Sequence, residues 1–205
     1  MKKILLLLAC VCLLSCQSKE EKISELIKEE MFKTLYDFAS YEPIETSKID
    51  SAFSTIYQDS IIRSKAVIII ASLKLSKEYL KECEEHYQTI EIWRDSYTDR
   101  ARNKVNEARE KLSKLIVNVE NALKVGKDAQ LGIREESKNF APQFIGWSVT
   151  HKFRCKTKGG AYDLANYQYI FSPELDKILY STDLESEDNE KIKTIIDEAL
   201  EAKDE

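Results

Sequence analysis

Glycine and proline are scarce in this chain, five and three among 205 residues, and residues 44–125 contain neither. Both residues punctuate secondary structure, so their absence over so long a stretch favours long helices with few turns. The same scarcity removes phosphate cradles that depend on glycine. Neither a G-x-x-x-x-G-K-[ST] loop nor a G-x-G-x-x-G turn occurs, and no G-x-S-x-G nucleophile elbow is present. Histidine is limited to His86 and His151, and two imidazoles rarely suffice for a metal centre. Positive charge is not in excess. The chain has 31 Lys and Arg against 36 Asp and Glu, a formal net charge of −5, which argues against a nucleic-acid partner because that needs a basic footprint. Carboxylates are plentiful but fall on helix surfaces, and nothing marks a facing pair of the kind a glycosidase requires. The expectation is therefore a non-enzymatic protein with no cofactor and no metal.

Long apolar runs are also missing. The longest, residues 4–14, has eleven residues, too few to span a bilayer but suited to the apolar region of a secretory signal. Lys2 and Lys3 precede it and Ser15-Cys16 follows. Leu13-Leu14-Ser15-Cys16 resembles the lipobox of bacterial lipoproteins. That resemblance implies a diacylglycerol on the Cys16 sulfur, cleavage after Ser15 and acylation of the new amine. More than one acyl chain makes such anchoring stable, at about 0.8 kcal/mol per buried methylene. An ordinary secretory signal with a chance cysteine is the alternative. Gln17-Ser18-Lys19-Glu20-Glu21-Lys22 resembles the lysine-plus-acidic signal of surface-exported lipoproteins of Bacteroidetes. The plainer reading is a charged tether. The expected organisation is a signal peptide over 1–15, a lipidated cysteine and tether over 16–22, and one domain over 23–205. The expected place is the cell envelope, as an outer-membrane lipoprotein attached to the membrane through Cys16, with surface display slightly favoured over the periplasmic face.

Loss of residues 1–15 removes Lys2, Lys3, Cys10 and Cys12, leaves 190 of the 205 residues and takes the net charge from −5 to −7. With Cys16 acylated, only Cys83 and Cys155 remain. An oxidising compartment permits one disulfide, but nothing in the sequence fixes their separation, and two buried free thiols are the favoured reading.

Apolar periodicity organises the rest. Ile23, Leu26, Ile27, Phe32, Leu35, Tyr36 and Phe38 predict an amphipathic helix over 19–38, ending before Pro43. Residues 44–53 lean towards an extended strand. Ile62, Ala66, Ile69, Leu73, Ser76, Leu80, Cys83, Tyr87 and Ile90 alternate steps of four and three, which is a heptad seam. Ala101, Val105, Ala108, Leu112, Leu115, Val119, Ala122, Gly126, Ala129 and Ile133 form a second. Two antiparallel helices over 58–95 and 98–138 follow, joined at residues 94–99, the only cluster of cap-type residues between them. Residues 66–71 are apolar on every face, which predicts that the hairpin passes through the core there; a buried strand over 67–70 is the alternative. From Trp147 to Lys156 odd positions are apolar and even ones polar, the mark of a half-buried antiparallel strand. Gly159-Gly160 turns the chain into a tyrosine-rich strand over 162–171, then a short strand over 178–180 and an amphipathic helix over 187–202. The fold class is α+β: a small antiparallel meander, a long coiled-coil-like α-helical hairpin inserted over 58–138, and flanking amphipathic helices.

Ser40-Tyr41-Glu42-Pro43, and His151-Lys152-Phe153-Arg154-Cys155-Lys156 followed by Gly159-Gly160, resemble in their order small Bacteroidetes lipoproteins with no assigned activity. The likeness covers about a third of the mature chain. It implies that segment 40–53 pairs with the 146–180 meander to close one sheet, and it supplies no catalytic residues.

Three constellations remain. Cys83 and His86 share a helix face, but two ligands do not complete a metal site. His151 points with Trp147, Val149 and Phe153, which predicts a hydrogen-bonded core histidine. Thr150, Lys152, Arg154 and Lys156 line one strand face and Lys158 follows, a basic stripe suited to an anionic glycan or small ligand. A solvated sheet face explains the stripe equally simply. The first functional expectation is a module binding a protein or envelope component, with the long hairpin as its surface; a glycan binder using Lys152, Arg154, Lys156 and Lys158 is the alternative. The anchoring expectation has a direct test. Cys16→Ser should abolish radioactive fatty-acid labelling and release or mislocalise the protein, and unchanged labelling would refute the lipobox.

Overall fold

The computed structural model describes residues 17–202, which pack as two compact units: residues 17–54 with 142–189, and residues 55–141 with 190–202. Cys16 and Ser15 lie outside the described residues, as does the whole signal-like segment. The predicted hairpin falls in the second unit. The architecture is α+β, with long helices and one five-stranded antiparallel sheet.

The first unit opens with α1, Lys19–Thr34. Ser18 accepts a hydrogen bond from the Glu21 amide, and the Glu21 carboxylate returns one from the Ser18 amide. This reciprocal cap satisfies two amides that would otherwise lack partners. Residues 19–22 are thus the first turn of the helix, which starts at Lys19 as its periodicity predicts, and the tether reading of 16–22 holds no further than Ser18 among the described residues. Ile23, Ile27 and Met31 form the buried stripe, each four residues from the last. Phe32 and Tyr36, expected on that stripe, are exposed. The helix stops four residues before the expected Phe38. Leu35 turns extended, and a 3-10 turn over Phe38–Ser40 follows. Thr34, Tyr36, Asp37 and Phe38 are weak helix formers, and the turn brings the Phe38 ring to stack on Tyr41, centroids 5.7 Å apart.

The sheet is built on its longest strand, β3 (Phe144–Lys156). One side of β3 carries two short strands end to end, β1 (Glu42–Thr46) and β2 (Asp50–Phe53), antiparallel to it. Between them the Ser47 amide donates to Thr150 O at 2.8 Å, and Ser47 Oγ accepts from the Thr150 amide at 2.9 Å. The other side pairs over ten residues with β4 (Tyr162–Phe171), which pairs in turn with β5 (Ile178–Asp183). Residues 178–180 were expected as the last strand; it runs three residues further. The odd residues of β3 face α1 as expected. Val149 and Phe153 join Tyr169, Phe171 and Leu175 in one core with Ile23, Ile27 and Met31. At Gly146, where β2 and β4 both approach, a Cβ would stand 1.8 Å from Phe171 O and φ is +144°, so no side chain fits.

The second unit is dominated by α2 (Ser60–Trp93) and α3 (Asp99–Lys138). Asp59 caps α2 by accepting from the Ile61 and Ile62 amides, and Thr98 caps α3 by accepting from the Ala101 amide. The turn falls in the cap cluster at 94–98. The expected α3 seam is the buried face: Ala101, Val105, Ala108, Leu115, Ala122, Ala129 and Ile133 are buried, with Leu112, Val119 and Gly126 half-buried. The α2 seam differs. Ile62, Ala66, Ile69, Ser76, Cys83 and Ile90 lie on it, but Ser72, Tyr79 and His86 take the inner places expected for Leu73, Leu80 and Tyr87. At Ser72 the cause is the glycine opposite it. A Cβ at Gly126 would meet Ser72 Oγ at 2.5 Å, so at that level the inner position of α2 holds only a small side chain and Leu73 turns to the flank. The buried hydroxyls of Ser72 and Ser76 donate to Ile69 O and Leu73 O within their own helix.

Residues 67–70 are helical, not a strand. The run does not pass through a core on all faces: Ala66 is buried, but Val67 and Ile68 are 50% and 41% exposed. Only the side towards α3 and the last helix, α4 (Glu187–Glu201), is covered. Ile196 and Ala199 of α4 complete a cluster with Ile62, Ala66 and Ile133. Tyr57 Oη donates to Asp197 at 2.6 Å, and Arg134 Nε donates to Ala199 O at 2.8 Å. Cys83 and Cys155 are both free thiols and half-buried rather than fully buried.

The close seam makes a size-dependent prediction. Gly126→Leu should force α2 and α3 apart and cost about 1–3 kcal/mol, the usual range for overpacking. Gly126→Ala should cost much less, because the Ser72 hydroxyl can rotate and alanine raises helix propensity by about 1 kcal/mol. Thermal or urea denaturation of the two variants measures the difference.

Candidate functional site

The geometry of the hairpin produces its most distinctive surface. Other side chains close the seam, and large apolar ones are left on its flank. On α2, Leu73, Leu80 and Tyr87 are 41%, 55% and 56% exposed. Their spacing of seven sets them in one line. On α3, Ile116 and Leu123 are 47% and 50% exposed and also seven apart. Leu73 and Leu123 share the wall of a groove of about 840 Å³, closed at one end by Ile195 and Ala199 of α4. Apolar side chains grouped in this way mark interaction surfaces more often than isolated exposed residues do.

Charge divides along the same helix. Between residues 63 and 77 α2 carries Arg63, Lys65, Lys74 and Lys77 and no acid, whereas residues 78–91 carry Glu78, Glu82, Glu84, Glu85 and Glu91 with Lys81 alone. The half of α3 beside that acidic stretch is rich in Arg and Lys, with Lys111–Glu107 and Lys114–Glu110 pairs on its surface. These ion pairs are exposed, lie within α3 and contribute little stability.

The first unit contains a cleft of about 660 Å³ between α1 and β3. Ile23, Ile27, Phe38 and Val149 make its walls, and His151 lies on its floor with Tyr41 and Thr46. His151 Nε2 is 2.8 Å from Tyr41 Oη and Nδ1 is 2.8 Å from Thr46 Oγ1. Both ring nitrogens are thereby occupied, and burial holds the imidazole pKa below its ordinary value. Burial raises the Tyr41 hydroxyl in the same way. The neutral imidazole donates through one nitrogen and accepts through the other. No carboxylate bonds to the ring, so a charged-base arrangement of the Ser-His-Asp kind is not assembled here. His151 is thus the hydrogen-bonded core histidine expected from its strand position. Tyr41 and Thr46 come from the segment 40–53 that the resemblance set against the meander, but local pattern did not fix its register and so did not mark them as partners of His151.

Lys152, Arg154 and Lys156 share one face of β3, with Lys158 in the turn beyond it, and these side chains have neighbours of their own. Arg154 Nε donates to Glu42 at 2.7 Å, and Lys152 lies opposite Glu45 of β1. Arg154 and Lys156 sit over the Tyr162 ring at 5.2 and 5.5 Å, and Lys158 lies 5.9 Å from the Tyr36 ring. This is the arrangement of a solvated sheet face whose charges are balanced by an adjoining strand. Cys83 and His86 are both half-buried along the hairpin seam, and no group of three metal-ligating side chains occurs among the described residues. No helix among the described residues is long and apolar enough to cross a membrane.

No family model, curated protein or solved structure matches this chain.

The buried imidazole sets a pH dependence. Its folded pKa lies below the unfolded value of 6.5, so between the two the unfolded chain binds more protons. Stability is then full above pH 6.5 and falls as pH drops through the folded value, by at most about 1.4 kcal/mol per pH unit. The loss of thermal midpoint between pH 7.5 and 5.5 should be smaller in His151→Gln than in wild type. Equal losses would show that another group titrates.

Proposed function

We propose that this chain is a non-enzymatic lipoprotein of the bacterial cell envelope, anchored through Cys16 after cleavage at Ser15, whose helical hairpin is a protein-interaction surface. The observation that supports this reading is the line of Leu73, Leu80 and Tyr87 beside Ile116 and Leu123, half-exposed on a hairpin already closed by its own seam. Side chains that the hairpin does not need for its own packing are available to a partner, and an apolar helix face is a common recognition element. The anchor rests on the lipobox resemblance of residues 13–16. Placement at the outer membrane, with the folded part displayed outward, rests on the charged residues after Cys16. The glycan-binding alternative has weaker support, because Glu42 and Glu45 offset Arg154 and Lys152.

Capture from detergent-solubilised envelopes, with the lipidated chain as bait, tests the reading. A protein held by the hairpin, whether a second copy or a different chain, should be recovered with wild type. Recovery should fall at least tenfold with Leu80→Glu or Leu123→Glu. Recovery unchanged by both substitutions, or no capture at all, removes the hairpin from the function. A thermal shift with an anionic glycan, lost in Arg154→Ala and Lys152→Ala, would favour the alternative instead.

A further inference from the structure

The exposed line on α2 is complementary to itself. Four residues beyond Leu73 and Leu80 lie Lys77 and Glu84, which edge the line on the side away from α3. A second helix laid antiparallel across Leu80 would set Leu80 against Leu80 and Leu73 against Tyr87. The same placement sets Lys77 against Glu84 twice over. It also lays the basic stretch of residues 63–77 beside the acidic stretch of residues 78–91 in the other copy. A parallel placement would oppose Lys77 to Lys77 and Glu84 to Glu84, which like charges disfavour.

Ile116 and Leu123 widen the apolar face from one helix to two. Residues 69–91 of α2 extend about 34 Å at 1.5 Å per residue, and two adjacent helices are about 20 Å across. That face is of the order of the ~800 Å² per partner that a stable interface buries. A twofold axis uses the same patch on both subunits, so the patch must match itself when reversed. Leu73, Lys77, Leu80, Glu84 and Tyr87 meet that condition.

We propose that the occupant of this face is a second copy of the chain, docked antiparallel about Leu80 so that two hairpins form a four-helix bundle. This deepens the reading of the hairpin as an interaction surface and is independent of the lipid anchor. Pairs of this kind favour one register and orientation more than they add affinity.

Site-directed crosslinking in intact envelopes tests it on the full lipidated chain. With Cys83→Ala and Cys155→Ala as background, Leu80→Cys stands on the proposed axis, where two Cβ atoms come within disulfide reach of about 4 Å. Oxidation should convert most of the chain to a species of twice its mass on non-reducing gels. Val125→Cys, on the other side of the α3 seam, should crosslink at least tenfold less. Adding Lys77→Glu to Leu80→Cys should lower the dimer yield at least fivefold, and adding Glu84→Lys as well should restore it. Circular dichroism of each variant confirms that the hairpin is intact; both charge substitutions lie on the outer flank. Equal crosslinking from Leu80→Cys and Val125→Cys overturns the proposal. So does a dimer indifferent to Lys77→Glu, or a Leu80→Cys adduct with a different envelope protein. In that last case the hairpin remains an interaction surface and only the identity of its partner changes.

Discussion

The close contact of α2 with α3 governs the second unit. Alanine, glycine and serine share the seam with Val105, Leu112, Leu115 and Ile133, and the tightest approach described along it is at Gly126. Ser72 lies against Gly126, and a methyl group at the glycine would already intrude on the serine hydroxyl. Small side chains bury little apolar area each, and the seam offsets this by length, with helices of 34 and 40 residues. Both hydroxyls in it are bonded to their own helix, so no buried polar group is left without a partner. Everything on the outside of the hairpin follows. With Ser72, Tyr79 and His86 taking the inner places, Leu73, Leu80 and Tyr87 stand on the flank, where they form the apolar line.

The first unit depends on a different constraint, the length of β3. Thirteen residues provide room for two short strands on one side and a ten-residue partner on the other. β1 and β2 could not stand as a hairpin of their own, since two-stranded elements are marginal in water. They exist because β3 offers each of them a free edge. The seat of His151 is a consequence, as Tyr41 and Thr46 reach the ring from a segment that β3 holds in place.

Elements with many repeats of one period were readable from the amino acids. The α3 seam runs through ten positions without interruption, and the structure buries or half-buries all of them. β3 alternates over five pairs and was equally plain. Where structure and pattern differ, spacing alone does not choose between neighbouring helix positions. A step of three or four from Ile69 reaches Ser72 or Leu73, from Ser76 Tyr79 or Leu80, and from Cys83 His86 or Tyr87; the structure takes the first of each pair, and only at Ser72 does the glycine opposite call for a small side chain. On α1 the buried stripe takes Met31 in place of Phe32. β1 is exposed along its whole length and so carries no alternation to read. The start of α1 at Lys19 was legible, and Ser18-x-x-Glu21, a recognised helix start, marks it. Of the candidate surfaces, the basic strand face was legible in the sequence, whereas the acids that balance it came from strands whose register was not. The hairpin as an element was legible; its exposed line was not, because exposure depends on the partner helix.

The start of α1 has a bearing on what a membrane would do to this protein. Only Gln17 and Ser18 separate Cys16 from the first helical turn, and the Lys19 ammonium stands 3.4 Å from the centroid of the Trp147 ring. The helix is thus fastened to the sheet from its first residue. Three peptide units reach at most about 10 Å. Under the proposed acylation, the sheet-bearing unit would therefore ride at headgroup height instead of swinging on a leash, and the bilayer would act as a wall on one side of it. A soluble partner could then approach that unit only from the half-space above the lipid.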